Sequence, residues 1–194
     1  MQTLIPNRKL RQDKKGCEPL LPLESGLAVL VREAEELVGP FRGSHNPSTP
    51  AGMPAHITLL YPFKPPDEIG DVEIETLTRC FAGFRNFDFS LTTIRRFPNG
   101  ILYLAPEPGE PFRQLTLAIW NCYPETPSYG GRFSNIVPHL TIVEPVEGCE
   151  IERVAAEFAE AAEGILPIQA IATEIALMDT RSGSWQVRTA IPLG

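Results

Sequence analysis

Histidine is scarce in this sequence of 194 residues, and paired cysteines and long apolar runs are missing. Only three histidines are present, and the four cysteines show no Cys-x-x-Cys spacing, so we expect free thiols in a protein of the reducing cytoplasm. No apolar run approaches the roughly 20 residues of a membrane-spanning helix, so we expect no membrane association. The sequence also lacks the Gly-x-Ser-x-Gly elbow, the phosphate-binding Gly-x-x-x-x-Gly-Lys loop and the dinucleotide fingerprint.

Positive charge is also in short supply. The formal net charge is −7, from 17 Lys and Arg against 24 Asp and Glu, which argues against an extended non-specific nucleic-acid surface. Residues 1–23 differ from the rest, because five basic residues cluster there without apolar periodicity. We expect residues 1–23 to form a flexible basic tail and residues 24–194 to form one domain.

Two of the three histidines lie in the same short pattern, His-x-Thr within an apolar run. In an extended strand, side chains i and i+2 point to the same face. Each pattern therefore places an imidazole beside a hydroxyl, His56 with Thr58 and His139 with Thr141. Two such pairs facing one cleft can hold a phosphate and move protons on both sides of it.

Periodicity predicts an α+β fold with an internal duplication. Strands are predicted at 27–31, at both His-x-Thr segments, and at 87–91, 101–105, 168–178 and 185–191. Helices are predicted at 33–42, 71–84, 111–123 and 150–163. The order strand, helix, Gly/Pro-rich loop and His-x-Thr strand occurs twice. A duplicated unit would place the two His-x-Thr strands as counterparts across a pseudo-two-fold axis and so create one site.

Two other interpretations of the histidines remain open. A catalytic zinc usually takes three protein ligands, and His45 supplies a third only if its loop folds back. Neither motif has His-x-His or His-x-x-x-His spacing, so we expect no metal and no cofactor. Both histidines could instead be ordinary core residues, although the doubled motif disfavours that interpretation.

The doubled motif resembles the two-histidine phosphoesterase superfamily. Within it, residues 54–63 (PAHITLLYPF) and 183–194 (GSWQVRTAIPLG) look most like the bacterial 2′-5′ RNA ligase family, and the resemblance covers about residues 25–194. It implies a bilobal α+β fold in which two antiparallel sheets line a central cleft, with helices outside. It also implies metal-independent opening or formation of 2′,3′-cyclic phosphates or related phosphodiesters.

The resemblance also implies roles for individual residues. His56 would be the proton donor and His139 the proton acceptor, with the roles exchanged in the reverse reaction. Thr58 and Thr141 match the phosphate-binding positions. Further candidates for contacts with a base or a second phosphate are Tyr61, Phe63, Tyr129, Arg132 and Phe133.

Three functions follow as alternatives. The first is hydrolysis of a 2′,3′-cyclic phosphate, the second is RNA 2′-5′ ligation or RNA-end processing, and the third is a non-catalytic nucleotide- or RNA-binding module. Some RNA-handling relatives carry an arginine shortly after the second motif, whereas Val143, Glu144 and Pro145 follow here. With the negative net charge, this favours a small cyclic nucleotide or a short RNA 3′-end as the partner of a monomeric protein.

Overall fold

The computed structural model describes residues 22–127, 131, 135–145 and 149–194. Almost all of the predicted basic tail therefore lies outside the described residues. Within them are four α-helices: α1 (Glu35–His45), α2 (Asp71–Phe81), α3 (Glu110–Cys122) and α4 (Ile151–Ala161). The strands are β1 (Ser25–Leu30), β2 (His56–Leu60), β3 (Phe87–Arg96), β4 (Leu102–Glu107), β5 (Leu140–Val143), β6 (Ile168–Ala172), β7 (Glu174–Asp179) and β8 (Gln186–Pro192).

The strands form a sheet with the order β6-β3-β4-β5-β2-β1-β7-β8. Every recorded strand pair is antiparallel. The two His-x-Thr strands, β2 and β5, are neighbours at the centre, and each is followed outward by the strand that precedes it in its own half, β1 or β4. The pair β1 and β2 in one half therefore corresponds to the pair β4 and β5 in the other, as expected for a duplicated unit.

Two expectations about the strands need correction. The α+β class and the antiparallel strands are confirmed, but the strands form one continuous sheet of eight, because β2 pairs with β5 and joins the two halves. The single strand predicted at 168–178 is two strands separated by Thr173. β6 pairs with β3 at one edge, whereas β7 pairs with β1 and β8 near the other edge, so the chain must leave one half of the sheet for the other.

The helices cover one face of the sheet, and α1 and α3 each pack against the His-x-Thr strand of the other half. Helix α1, from the first half of the chain, packs against β5 of the second half, and α3 packs against β2. Alternate residues of the central strands fill the core beneath them, including Ile57, Leu104, Leu140 and Ile142, which are all fully buried. Because side chains alternate along a strand, the other face of β2 and β5 is left for the His-x-Thr residues.

Two further features concern the cysteines and the helices. Cys80, Cys122 and Cys149 are free thiols. Among the described residues, no helix is long and apolar enough to cross a membrane.

Candidate active site

The centre of the sheet brings the two His-x-Thr motifs together. Strands β2 and β5 pair at a single recorded position, where Ile57 lies opposite Leu140. These are the middle residues of the two motifs, and both side chains are fully buried in the core. The pseudo-two-fold axis therefore passes between them.

The residues flanking this pair lie on the opposite face of the sheet. Residues directly opposite one another in an antiparallel pair share a face, so each histidine lies next to the threonine of the other motif. The result is a square with the two imidazoles on one diagonal and the two hydroxyls on the other. Its four members are half-buried: His56, Thr58, His139 and Thr141.

Each imidazole is held by the same local hydrogen bond. Nδ1 of His56 lies 2.7 Å from the carbonyl oxygen of Pro54, and Nδ1 of His139 lies 2.7 Å from the carbonyl oxygen of Val137. A carbonyl can only accept, so Nδ1 carries the proton and donates in both cases. The second nitrogen, Nε2, is thereby left as a proton acceptor in the neutral ring and as a proton donor in the charged ring.

A buried arginine from α1 links the backbones of the two motifs. Arg42 is 1% exposed. Its guanidinium donates to the carbonyl oxygens of Thr141 at 2.7 Å, Met53 at 3.1 Å and Pro54 at 3.1 Å. The Pro54 carbonyl is also the acceptor for His56. Arg42 thus connects the second motif to the segment that orients the first histidine.

Burial affects both histidines, and His56 is also affected by the charge of Arg42. Burial and, to a smaller degree, the positive charge of Arg42 lower the pKa of His56 to about 4. Burial also lowers the pKa of His139, opposed by its hydrogen bond to the Val137 carbonyl. In the ligand-free protein at neutral pH both rings are therefore neutral, and protonation of His56 is opposed by a neighbouring cation.

Two aromatic side chains that the sequence did not single out lie beside His139. The ring of Phe97 stacks on Tyr103 with centroids 4.3 Å apart. Both contact the imidazole edge to face, at 5.0 Å from Phe97 and 5.5 Å from Tyr103. Tyr103 is also the register partner of Thr141 on β4. Tyr103 looks like an ordinary strand aromatic in the sequence, and only this register relates it to the motif.

A cavity of about 700 Å³ opens at these groups, which is within the usual size range for small-molecule sites. Thr58, His139 and Thr141 line it together with Phe97, whereas His56 is not among the lining residues. Further apolar lining comes from α3 and from the segment before β5, and Glu144 lies at its border. The cavity thus places polar side chains that can bind a phosphate next to an apolar volume that can hold a nucleobase.

The other predicted contact residues are placed differently. Tyr61 is half-buried, packs edge to face on Trp185 at 6.0 Å and donates its hydroxyl to Glu24 at 2.5 Å. Phe63 is in the hydrophobic core and packs edge to face on Tyr123 at 5.0 Å. The remaining three candidates lie outside the described residues: Tyr129, Arg132 and Phe133.

The third histidine is apart from this arrangement. Where a loop was predicted from residue 43, α1 continues and ends at His45, whose carbonyl accepts from the Glu144 amide at 2.9 Å. His45 is not among the residues that line the cavity. In the part of the chain that the structure describes, no three His, Cys, Asp or Glu side chains are grouped so that they could hold a metal ion.

One protein-family profile matches most of the chain. Residues 30–184 match the profile of the 2′-5′ RNA ligase superfamily. The chain belongs to this superfamily. No curated protein matches the sequence.

Solved structures of similar fold include members with bound nucleotides. E. coli LigT complexed with NADP+ is 19% identical, with a TM-score of 0.52 over 89% of this chain and 98% of LigT. LigT complexed with ATP is 18% identical, with a TM-score of 0.51 over 89% of this chain and 99% of that chain. TT0787 of Thermus thermophilus is 17% identical, with a TM-score of 0.54 over 88% of this chain and 97% of that chain. At these identities, the likeness shows that the proteins share a fold and shows nothing about their activities.

Proposed function

We propose that this protein is a metal-independent phosphodiesterase that hydrolyses 2′,3′-cyclic phosphates by general acid–base catalysis with His56 and His139. The observation that carries the proposal is the diagonal pair of imidazoles, each with Nδ1 bonded to a backbone carbonyl and Nε2 left for proton transfer. A binding site for phosphate alone would not require two such matched groups. We assign this activity to one domain formed by residues 24–194.

The proposed reaction moves one proton on each side of the phosphorus atom. A water molecule gives a proton to Nε2 of His139 as its oxygen attacks phosphorus. The bond from phosphorus to one ring oxygen breaks, and that oxygen takes a proton from Nε2 of His56. The hydroxyls of Thr58 and Thr141 donate to the non-bridging oxygens, where negative charge develops. Transfer of a proton from His139 back to His56 through solvent restores the starting state.

Substrate binding supplies the protonation state that His56 needs as an acid. In the ligand-free protein, burial and, to a smaller degree, Arg42 oppose a positive charge on His56. A phosphodiester carries one negative charge, and an anion within a few ångströms favours the charged imidazole. We therefore propose that His56 gains its proton as the substrate binds, so that one proton is shared by the histidine pair in the reactive complex.

The cavity supports a nucleotide as the substrate. Its volume of about 700 Å³ accommodates a mononucleotide, and Phe97 presents an aromatic ring beside the proposed phosphate position. The complexes of LigT with NADP+ and ATP show that a protein of this fold accepts nucleotides. We propose a 2′,3′-cyclic nucleotide, free or at the 3′-end of a short RNA, as the ligand.

The test is turnover of the four 2′,3′-cyclic mononucleotides in the presence of EDTA. The variants are His56→Gln, His139→Gln and, as a matched control, His45→Gln, which changes a histidine that belongs to neither motif. Each proton transfer typically contributes about 10²–10⁴-fold, so either motif variant should lose at least about 10²-fold in kcat. His45→Gln should retain the wild-type rate, and thermal unfolding should show that all three variants fold.

Two results would contradict the proposal. Activity retained in His56→Gln or His139→Gln would exclude the two-histidine mechanism. Nucleotide binding without turnover of any cyclic mononucleotide or cyclic-phosphate-ended RNA oligonucleotide would indicate the non-catalytic alternative instead.

A further inference from the structure

An arginine on β3 lies on the same face of the sheet as the two motifs. Thr141 on β5 is the register partner of Tyr103 on β4, and Tyr103 is the register partner of Arg95 on β3. Opposite residues share a face, so these three form a row across three strands. Neighbouring strands are roughly 4.8 Å apart, which places the backbone of Arg95 about 10 Å from that of Thr141.

The Arg95 side chain is exposed and has no recorded polar partner among the described residues. Among the described residues, no hydrogen bond or ion pair involves it, whereas its neighbour Arg96 points to the opposite face and pairs with Glu152 at 2.5 Å. Among the described residues of β3, β4 and β5, Arg95 is the only basic residue on the same face as the histidines. Its cationic group is therefore available to a ligand that extends from the motifs across Tyr103.

The negative groups on this part of the sheet leave Arg95 accessible to an anion. On the same face, Glu107 lies four residues beyond Tyr103 along β4, roughly 13 Å away, and Asp88 lies at the far end of β3. Glu144 follows β5, at the border of the cavity. Neither an ion pair nor a hydrogen bond joins Arg95 to any of these carboxylates.

We propose that Arg95 binds a second phosphate, the one on the 5′ oxygen of the nucleotide whose cyclic phosphate lies between the two motifs. The proposal rests on the proposed function for the position of the first phosphate. With the reacting phosphate at Thr58 and Thr141, the base packs against Phe97 and the 5′-phosphate extends past Tyr103 to the guanidinium. Such a phosphate occurs in a nucleoside 5′-phosphate and at the last nucleotide of an RNA strand.

A binding measurement that does not depend on turnover tests this directly. Isothermal titration compares adenosine 3′-monophosphate with adenosine 3′,5′-bisphosphate on wild type, Arg95→Gln and Arg96→Gln. We expect the bisphosphate to bind wild type about tenfold more tightly than the monophosphate, the effect of one charge-assisted hydrogen bond at an exposed site. Arg95→Gln should abolish this preference and leave monophosphate affinity within about twofold. Arg96→Gln, which removes the same charge from the other face, should behave as wild type.

Kinetics then identify the source of the second phosphate. For wild type and Arg95→Gln, kcat/KM is measured with adenosine 2′,3′-cyclic phosphate, with its 5′-phosphorylated form, and with a dinucleotide ending in a cyclic phosphate. A loss restricted to the 5′-phosphorylated mononucleotide supports a free nucleotide, and a loss with the dinucleotide supports an RNA end.

The proposal is overturned if wild type shows no preference for the bisphosphate, if neither ligand binds, or if Arg96→Gln removes the preference as Arg95→Gln does. Failure of the proposed function is a separate result, because it appears as absent turnover of the cyclic mononucleotide by wild type. A bisphosphate preference that depends on Arg95 would support the subsite even then.

Discussion

Replacing Arg42 by methionine removes a buried cation while keeping most of the length of its side chain. The guanidinium donates to the carbonyl oxygens of Thr141, Met53 and Pro54. The Pro54 carbonyl retains the hydrogen bond from His56, so two carbonyls lose a donor. The carboxylate of Glu35, which attracts Arg42 and accepts from the Ala55 amide, loses its cationic neighbour.

The expected loss of stability follows from these groups. An unsatisfied buried acceptor costs about 1–3 kcal/mol, and removing one member of a buried charge network costs about 3–5 kcal/mol. The first figure gives about 2–6 kcal/mol for the carbonyls of Thr141 and Met53. We therefore expect Arg42→Met to lower the free energy of unfolding by about 3–5 kcal/mol, which corresponds to a decrease in Tm of roughly 10 °C for a chain of this size.

Urea unfolding followed by circular dichroism measures this loss, with Arg96→Met as the matched control. Arg96 pairs with Glu152 at the surface, where both side chains are more than 40% exposed, so its replacement should cost less than about 1 kcal/mol. Equal losses for the two variants, or a loss below about 1 kcal/mol for Arg42→Met, would refute the reasoning.

The same variant tests the electrostatic role of Arg42. NMR titration of His56 should show a pKa raised from about 4 towards its ordinary value in Arg42→Met, because the neighbouring positive charge has gone. Arg42→Lys keeps the charge but not the three-carbonyl geometry, so it should lose stability while His56 keeps a depressed pKa. A His56 pKa that is the same in Arg42→Met and wild type would show that burial alone causes the shift.

Two further predictions concern activity. Because the histidine pair must hold one proton and both pKa values lie below 6.5, kcat/KM for a cyclic nucleotide should peak below about pH 6.5 and fall about tenfold per pH unit on the alkaline side; an optimum above about pH 7.5 would contradict this. Phe97→Leu should raise KM about tenfold by removing the aromatic surface for the base, since such stacking is worth about 1–3 kcal/mol, whereas Leu117→Ala on the exposed surface of α3 should leave KM unchanged.

The sequence carried enough information to predict the local part of the candidate site. The spacing of His56 and Thr58, and of His139 and Thr141, places each pair on one face of a strand, because side-chain direction alternates with every residue. The helices were also predicted to within a few residues, since their apolar positions recur at helical spacing. These predictions succeeded because they depend on neighbours along the chain.

Other predictions failed where distant pairing takes precedence. The apolar run at 168–178 has the composition of one strand, yet β6 and β7 hydrogen-bond to different halves of the sheet, and the chain breaks at Thr173 to reach both. The expected two sheets are one, because β2 and β5 meet at Ile57 and Leu140. Local periodicity does not specify which strands become neighbours.

The surroundings of the histidines arise only when distant segments pack together. In the sequence, Arg42 is a basic residue at the predicted end of a helix, and Phe97, Tyr103 and Arg95 belong to an ordinary hairpin. Arg42 becomes a buried link because α1 packs behind β5, where carbonyls from two distant segments converge on its guanidinium. Residue spacing specifies which side chains share a strand face, because that is a property of the local backbone. Which residues lie opposite these side chains on neighbouring strands depends on the long-range register of the sheet. That register is established only when the chain folds and cannot be read from the local sequence pattern.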